Sequence, residues 1–281
     1  MNGKRLTVNH TEAYQNYLRA EERSRGTQEK YRRDIDAFVR WLGGRLVTKE
    51  VVVEWKRYLV EQNYAPVTIN SMLAALNGLM RFLGWEEYRV KFLKIQRRLF
   101  REASRDLDRG EYEKLLQAAQ SQGRERLALV METICATGIR VSEVKYVTVE
   151  AVRRGRGEVS LKGKIRVIFF PDKLVRKLLK YAKKQKIVSG EIFLTGNGKG
   201  LNRCQIWAEM KALCAAAGVE ASKVFPHNLR HLFATIFYRS CKDIVKLADV
   251  LGHSSVETTR IYLVTSGAEY ARAVERLGLI S

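Results

Sequence analysis

Apolar residues recur every three or four positions through most of the chain, and the places where that rhythm stops mark its elements. The run TQEKYRRDIDAFVRWLGG puts Tyr31, Ile35, Phe38, Val39 and Leu42 on one helical face and ends at Gly43-Gly44, which predicts a helix over 27–42. The same spacing predicts helices over 8–23, 48–62 and 66–83. The last opens on Pro66, a first-turn position, and carries Ile69, Met72, Leu73, Leu76 and Met80. Residues 1–95 thus read as an all-helical domain. The basic run KFLKIQRRLFREASR suits a connector, assigned to 96–105, with a solvated basic helix as the competing reading.

From 106 to 281 the pattern predicts a second, mainly helical domain. Helices over 108–121 and 124–136 lead to a Thr137-Gly138 turn and a short helix, IRVSEVKYV. The period then changes: EVSLKGKIRVIFFP reads as a hairpin of 158–161 against 165–170. Helices resume over 172–186, 202–217, 227–240, 243–251, 255–264 and 268–277. The glycines of TGNGKGLN lack the Gly-Lys-Ser/Thr ending of a phosphate-binding loop and read as a turn. The fold class expected is therefore mainly α with one small β-hairpin.

Composition sharpens this picture in one respect. A net charge of +21 over 281 residues, spread along the whole chain, calls for a polyanionic partner. Nucleic acid fits better than a membrane surface, because there is neither a basic amphipathic anchor nor an apolar run near the ~20 residues that span a bilayer. A cytoplasmic, nucleoid-associated protein is expected. Cys135, Cys204, Cys214 and Cys241 lack zinc-site spacing and read as buried reduced thiols.

Three of the four histidines, His227, His231 and His253, fall in the last quarter beside arginines and a tyrosine. In PHNLRHLFAT, His227 and Arg230 share one face near a helix N-terminus, where a phosphate is welcome. In LADVLGHSSVETTRIY a helix ends at Gly252, His253 follows in the turn, and Ser254 with Glu257 restarts a helix as a capping box, from which Tyr262 projects. In ATGIRVSEV, Glu143 lies one turn after Arg140 and is placed to hold its guanidinium. Each piece has a plain structural reading: a surface ion pair for Arg140 and Glu143, helix caps for His227 and His253, a packing residue for Tyr262. His231 reads as structural.

Taken together, the three motifs resemble the tyrosine site-specific recombinase (integrase) family, whose pattern runs A-T-G-x-R-x-S-E, H-x-L-R-H-x-x-A-T and L-G-H-x-x-x-x-T-T-x-x-Y. The resemblance is detailed over 106–281, and the N-terminal helices are similar in type to that family's SAM-like core-binding domain. It implies that Arg140 and Arg230 grip the scissile phosphate, that His227 and His253 assist, that Glu143 supports, and that Tyr262 attacks. It also implies a hairpin lysine as general acid. Lys162 best matches the family's G-K-G-x-K-x-R, with Lys164 as the alternative because this hairpin is shortened and has Leu161 in place of a glycine.

The resemblance further implies a two-domain clamp on double-stranded DNA with specific recombination sites, a homotetramer when two sites are synapsed, and accessory DNA-bending or directionality factors as further partners. No metal and no cofactor are expected, since two guanidiniums neutralise the transition state and the phosphotyrosine link conserves the phosphodiester's energy. The C-terminal GAEYARAVERLGLIS, with Tyr270, Val274, Leu277, Leu279 and Ile280, is the segment expected to dock on a neighbouring subunit or on its own. Two other readings compete: a non-catalytic DNA-binding protein on the same fold, which has no use for a nucleophile, and a type IB topoisomerase, which shares the chemistry without exchanging partners. If phosphate contacts supply the affinity, binding to a DNA duplex should fall by about 10³-fold or more between 50 and 200 mM salt, as a filter or anisotropy titration will measure. A flat response would refute the polyanion reading.

Overall fold

The computed structural model describes residues 3–95, 105–161, 164–262 and 275–277. Its packing divides into two units, Met1–Arg97 and Arg98–Ser281. The expected connector, 96–105, lies outside the described residues except for Arg105.

The first unit is a helical bundle of α1 (Val8–Ala20), α2 (Arg25–Leu42), α3 (Lys49–Glu61) and α4 (Pro66–Phe82). α2 starts two residues before the predicted point because the Ser24 hydroxyl accepts from the Thr27 N–H, and it ends where Gly43 turns left-handed. Ile35, Phe38 and Leu42 are buried as the spacing predicts, while Val39 lies at the rim. Phe38 meets Trp55 of α3 edge to face at 5.0 Å. Beyond α4 the chain runs back along it, pinned by two side-chain amides: Asn77 exchanges hydrogen bonds with the Val90 backbone, and Asn70 with that of Leu93.

In the second unit α6 (Glu125–Thr137) is the central helix, buried at Leu127, Val130, Met131 and Ile134 and packed against α5 (Arg109–Ser121), α8 (Asp172–Lys184) and α11 (Pro226–Cys241). A short α7 (Val149–Arg153) leads into the antiparallel hairpin of β1 (Arg156–Leu161) and β2 (Lys164–Phe169), with Val159 opposite Arg166 and Leu161 opposite Lys164. Its inward face carries Val159, Arg166 and Ile168, whereas Ile165 and Phe169 face solvent.

Several predicted elements change form. IRVSEVKYV is a 3₁₀ turn over Val141–Tyr146, because the Glu143 carboxylate folds back onto the Arg140 N–H and Val147 leaves to bond Ile192. The helix expected over 202–217 breaks into α9 (Arg203–Lys211) and α10 (Cys214–Ala217). After α12 (Ile244–Leu251), the helix expected over 255–264 is a single α turn, α13 (Val256–Thr259), continued as a 3₁₀ turn over Arg260–Tyr262. Its cap is Ser255 rather than Ser254: the Ser255 hydroxyl accepts from the Glu257 N–H at 3.2 Å. The helix expected over 268–277 lies outside the described residues apart from 275–277, where Leu277 is exposed.

The expectation of buried thiols holds for Cys214 and in part for Cys135, whose burial pushes its thiol up to about 12. It fails for Cys204 and Cys241, which are exposed because they occupy the first turn of α9 and the last residue of α11, where the helices project from the core. Among the described residues no helix is long and apolar enough to cross a membrane.

The turn that ends α6 is tightly packed. Gly138 has φ +64°, and a Cβ there would overlap the Phe233 ring and press on Leu251. Gly138→Ala should therefore lower stability by about 2–4 kcal/mol, left-handed strain and overpacking together. Urea denaturation will read this as a lower midpoint at unchanged slope.

Candidate active site

Three helix ends and the inward face of the hairpin converge on one pocket in the second unit. At the first, left-handed Gly138 stops α6 and sets Arg140 at the head of the 3₁₀ turn. Glu143, fully buried, takes the Arg140 guanidinium on one carboxylate oxygen (2.8 Å). The other oxygen accepts from the Arg140 backbone N–H (2.8 Å) and from Arg166 Nη1 (3.0 Å). This is no ordinary surface ion pair. A carboxylate stripped of water costs several kcal/mol unless its lone pairs are used, and here two guanidiniums and an amide use them.

Arg230, in the first turns of α11, is 2% exposed. Its Nη1 donates to the Gly138 carbonyl, while Nη2 donates to the Leu251 carbonyl (2.8 Å) and to His253 Nε2 (3.0 Å). Arg166 Nη1 donates to the same Leu251 carbonyl at 3.0 Å. Leu251 closes α12, so two cations sit at the carbonyl end of a helix, where unpaired acceptors and the macrodipole favour them. Gly252 is left-handed and leaves room for the Arg166 stem; a Cβ there would strike it. Burial, and then the repulsion of Arg140, lowers the Arg230 pKa, with neighbouring Tyr262 and Glu143 acting in the opposite sense. Burial likewise lowers Arg166 to about 10 despite Glu143. Three guanidiniums stand against one carboxylate, an excess of two positive charges that attracts an anion.

His253 is half-buried in the turn after Gly252, with Nδ1 2.8 Å from the fully buried Thr259 hydroxyl. Arginine only donates, so Nε2 is the acceptor of the Arg230 bond and Nδ1 carries the proton. Burial, and then Arg230, Arg140, Arg166 and His227, depress its pKa from 6.5 to about 4, so the ring is neutral at physiological pH. Tyr262 is buried against Ala234, Leu247 and Leu251, and its ring is stacked on His253 at 5.8 Å. His227, exposed, stands 6.1 Å from the Tyr262 ring.

The structure thus gathers Arg140, Glu143, His227, Arg230, His253 and Tyr262 around one pocket. Lys162 lies outside the described residues, and Lys164 is described only through its backbone pairing with Leu161. Three further neighbours stand within the quoted motifs without a site role assigned to them there. Arg166 is hidden by the apolar Ile165, Val167 and Phe169, which look like the inward face of the strand; the alternation of Arg166 with Ile168 and the closing arginine of G-K-G-x-K-x-R are the available signals. His231, which reads as structural, has its ring 5.2 Å from that of Tyr262. Thr259 carries no signal beyond its motif. Among the described residues no group of three or more His, Cys, Asp or Glu is arranged to hold a metal ion.

The model of the phage integrase family matches residues 105–268, more than half of the chain, and that of the phage integrase N-terminal SAM-like domain matches residues 11–87. The chain belongs to the phage integrase family. As a family member it is similar to tyrosine recombinase XerD of Xanthomonas axonopodis pv. citri, with 30% identity over 86% of this chain and 88% of the relative. It is also similar to tyrosine recombinase XerA of Pyrococcus furiosus, with 28% identity over 100% and 98%. Its fold is like that of lambda integrase, solved as a dimer of residues 75–356 on a COC′ core site (TM-score 0.73, 20% identity, 92% of this chain and 95% of that one). The same enzyme solved as a tetramer on a Holliday junction aligns with TM-score 0.73 and 20% identity over 93% and 78%.

The integrase pocket makes a pH prediction. Because the folded pKa of His253 lies below its ordinary 6.5, the unfolded chain takes up this proton first as pH falls. The stability contributed is complete above about pH 6.5 and declines toward pH 4. Urea midpoints measured across that window should fall more steeply for the parent protein than for His253→Gln; equal slopes would refute the neutral ring.

Proposed function

We propose that this tyrosine recombinase is a site-specific DNA recombinase that cleaves and rejoins strands through a 3′-phosphotyrosine link to Tyr262. One observation carries the reading: the Tyr262 phenol stands beside Arg230, in a pocket with two uncompensated positive charges and three histidine rings around the tyrosine. A phosphodiester brings one negative charge to this excess and its pentacoordinate transition state a second, and a phenol beside it is the nucleophile.

In this reading Arg140 and Arg230 hold the non-bridging oxygens, where charge grows in the pentacoordinate transition state. Glu143 orients Arg140. The Tyr262 oxygen bonds to phosphorus as the bond to the 5′ oxygen breaks; the phenol proton passes to His227, and Lys162, with Lys164 as the alternative, protonates the leaving 5′ oxygen. Attack by a 5′ hydroxyl reverses the step, so an exchanged strand is sealed without an external energy source. Residues 1–95 form the second DNA-binding domain and 96–105 the connector. DNA-bound dimers and tetramers of lambda integrase support a duplex partner and assembly on it. Paired specific sites, a synaptic homotetramer and accessory bending or directionality factors extend that reading.

A nicked duplex built on a site selected from a random-sequence pool traps the covalent intermediate, since the short 5′ product diffuses away. The parent protein should form a protein–DNA adduct stable in detergent, and Tyr262→Phe should form none while binding the same duplex. An adduct with Tyr262→Phe, or none with the parent protein, would overturn the assignment.

A further inference from the structure

His253 stands between two partners of different chemistry. On one side Arg230 Nη2 is 3.0 Å from Nε2; on the other the Thr259 hydroxyl is 2.8 Å from Nδ1. Because a guanidinium only donates, the ring offers Nε2 as a lone pair and keeps its proton on Nδ1. A phosphate oxygen only accepts. A phosphodiester drawn to Arg140 and Arg230 therefore meets His253 in the wrong tautomer, one lone pair against another.

Two changes would correct this. The ring could gain a second proton, but Arg230 and His227 of α11, Arg140 of the 3₁₀ turn and Arg166 of β2 all face it, and Tyr262 covers its plane. That set disfavours a cation, as the depressed pKa of the ring records. Alternatively, the half-buried ring trades protons with solvent as it turns out of its two bonds, Nδ1 releasing one to water and Nε2 taking one from water, so that the charge is unchanged and the Arg230 N–H freed from Nε2 turns to a phosphate oxygen. This second change requires a partner for Nδ1 that serves both states. A main-chain carbonyl would hold the proton on Nδ1, whereas a hydroxyl accepts from Nδ1–H in one rotamer and donates to bare Nδ1 in the other. Thr259 is 0% exposed, so water does not stand in for it.

We propose that Thr259 is a positioning residue whose hydroxyl lets His253 change tautomer as the phosphodiester enters, from Nδ1–H facing Thr259 to Nε2–H facing the phosphate. This rests on the reading of the pocket as a phosphodiester site. It makes the histidine a neutral hydrogen-bond donor to the transition state without adding a fourth cation to a crowded site.

The test is ¹⁵N–¹H correlation of the histidine rings in Tyr262→Phe, which holds the selected duplex uncleaved. The expected result is Nδ1 protonated in the free protein and Nε2 protonated with the duplex bound. In proteins that keep Tyr262, Thr259→Val should bind within about twofold of the parent yet form adduct on the order of 10-fold or more slower, and Thr259→Ser should recover the rate. Adding each Thr259 change to Tyr262→Phe, the tautomer change should be lost with Val and restored with Ser. The same protonated nitrogen with and without DNA, a doubly protonated ring, or a Thr259→Val protein as fast as the parent would each overturn the proposal. If the parent forms adduct but the tautomer does not change, this inference alone fails; if it forms none, the reading of the site falls with it.

Discussion

Like charges gather in a protein interior only where fixed acceptors take up much of their N–H capacity, and in this chain that task falls to one carboxylate, two main-chain carbonyls and His253 Nε2, while Arg166 Nε and Nη2 stay buried without a hydrogen-bond partner among the described residues. Glu143 binds Arg140 and Arg166, and Leu251 O binds Arg166 and Arg230, so Arg166 links the other two guanidiniums through shared acceptors. Gly138 O holds the remaining edge of Arg230. The two carbonyls sit at the ends of α6 and α12, where helices leave such acceptors unused. The left-handed glycines after those helices let Phe233 and Arg166 close over the gaps.

Such a site is incomplete both as a set of hydrogen bonds and as a set of charges. The carbonyls satisfy hydrogen bonds without cancelling charge, so two positive charges remain. A second carboxylate would have made a more ordinary core and halved the excess charge. Helix ends thus supply geometry, and the positive charge left over is what would draw a phosphodiester. The same field keeps His253 neutral and makes its tautomer, rather than its charge, the variable that a bound anion acts on.

Much of this is legible from sequence. The helical stripes of the first unit follow apolar spacing and local caps, and the structure differs from them by a few residues at the ends. Family membership rests on three motifs whose residue types and spacings are local facts. Where local preference and tertiary demand diverge, spacing fails: the turn 141–146 tightens to 3₁₀ because Glu143 reaches back to Arg140, and β2 turns Arg166 inward in preference to Ile165 and Phe169 because Glu143 and Leu251 O await it.

By itself, then, the sequence determined the helical character, the two-part division of the pattern and the net positive charge, and it singled out Arg140, Glu143, His227, Arg230, His253 and Tyr262 as candidates, because periodicity and motif spacing are carried within short stretches of chain. Only the tertiary structure decided that Arg166, His231 and Thr259 belong beside them, that Ser255 rather than Ser254 opens α13, and which nitrogen of His253 bears its proton. Those outcomes depend on acceptors and rings brought from distant segments, and a side chain's hydrogen-bond partner across 23 or 85 residues is set by packing that no local pattern encodes.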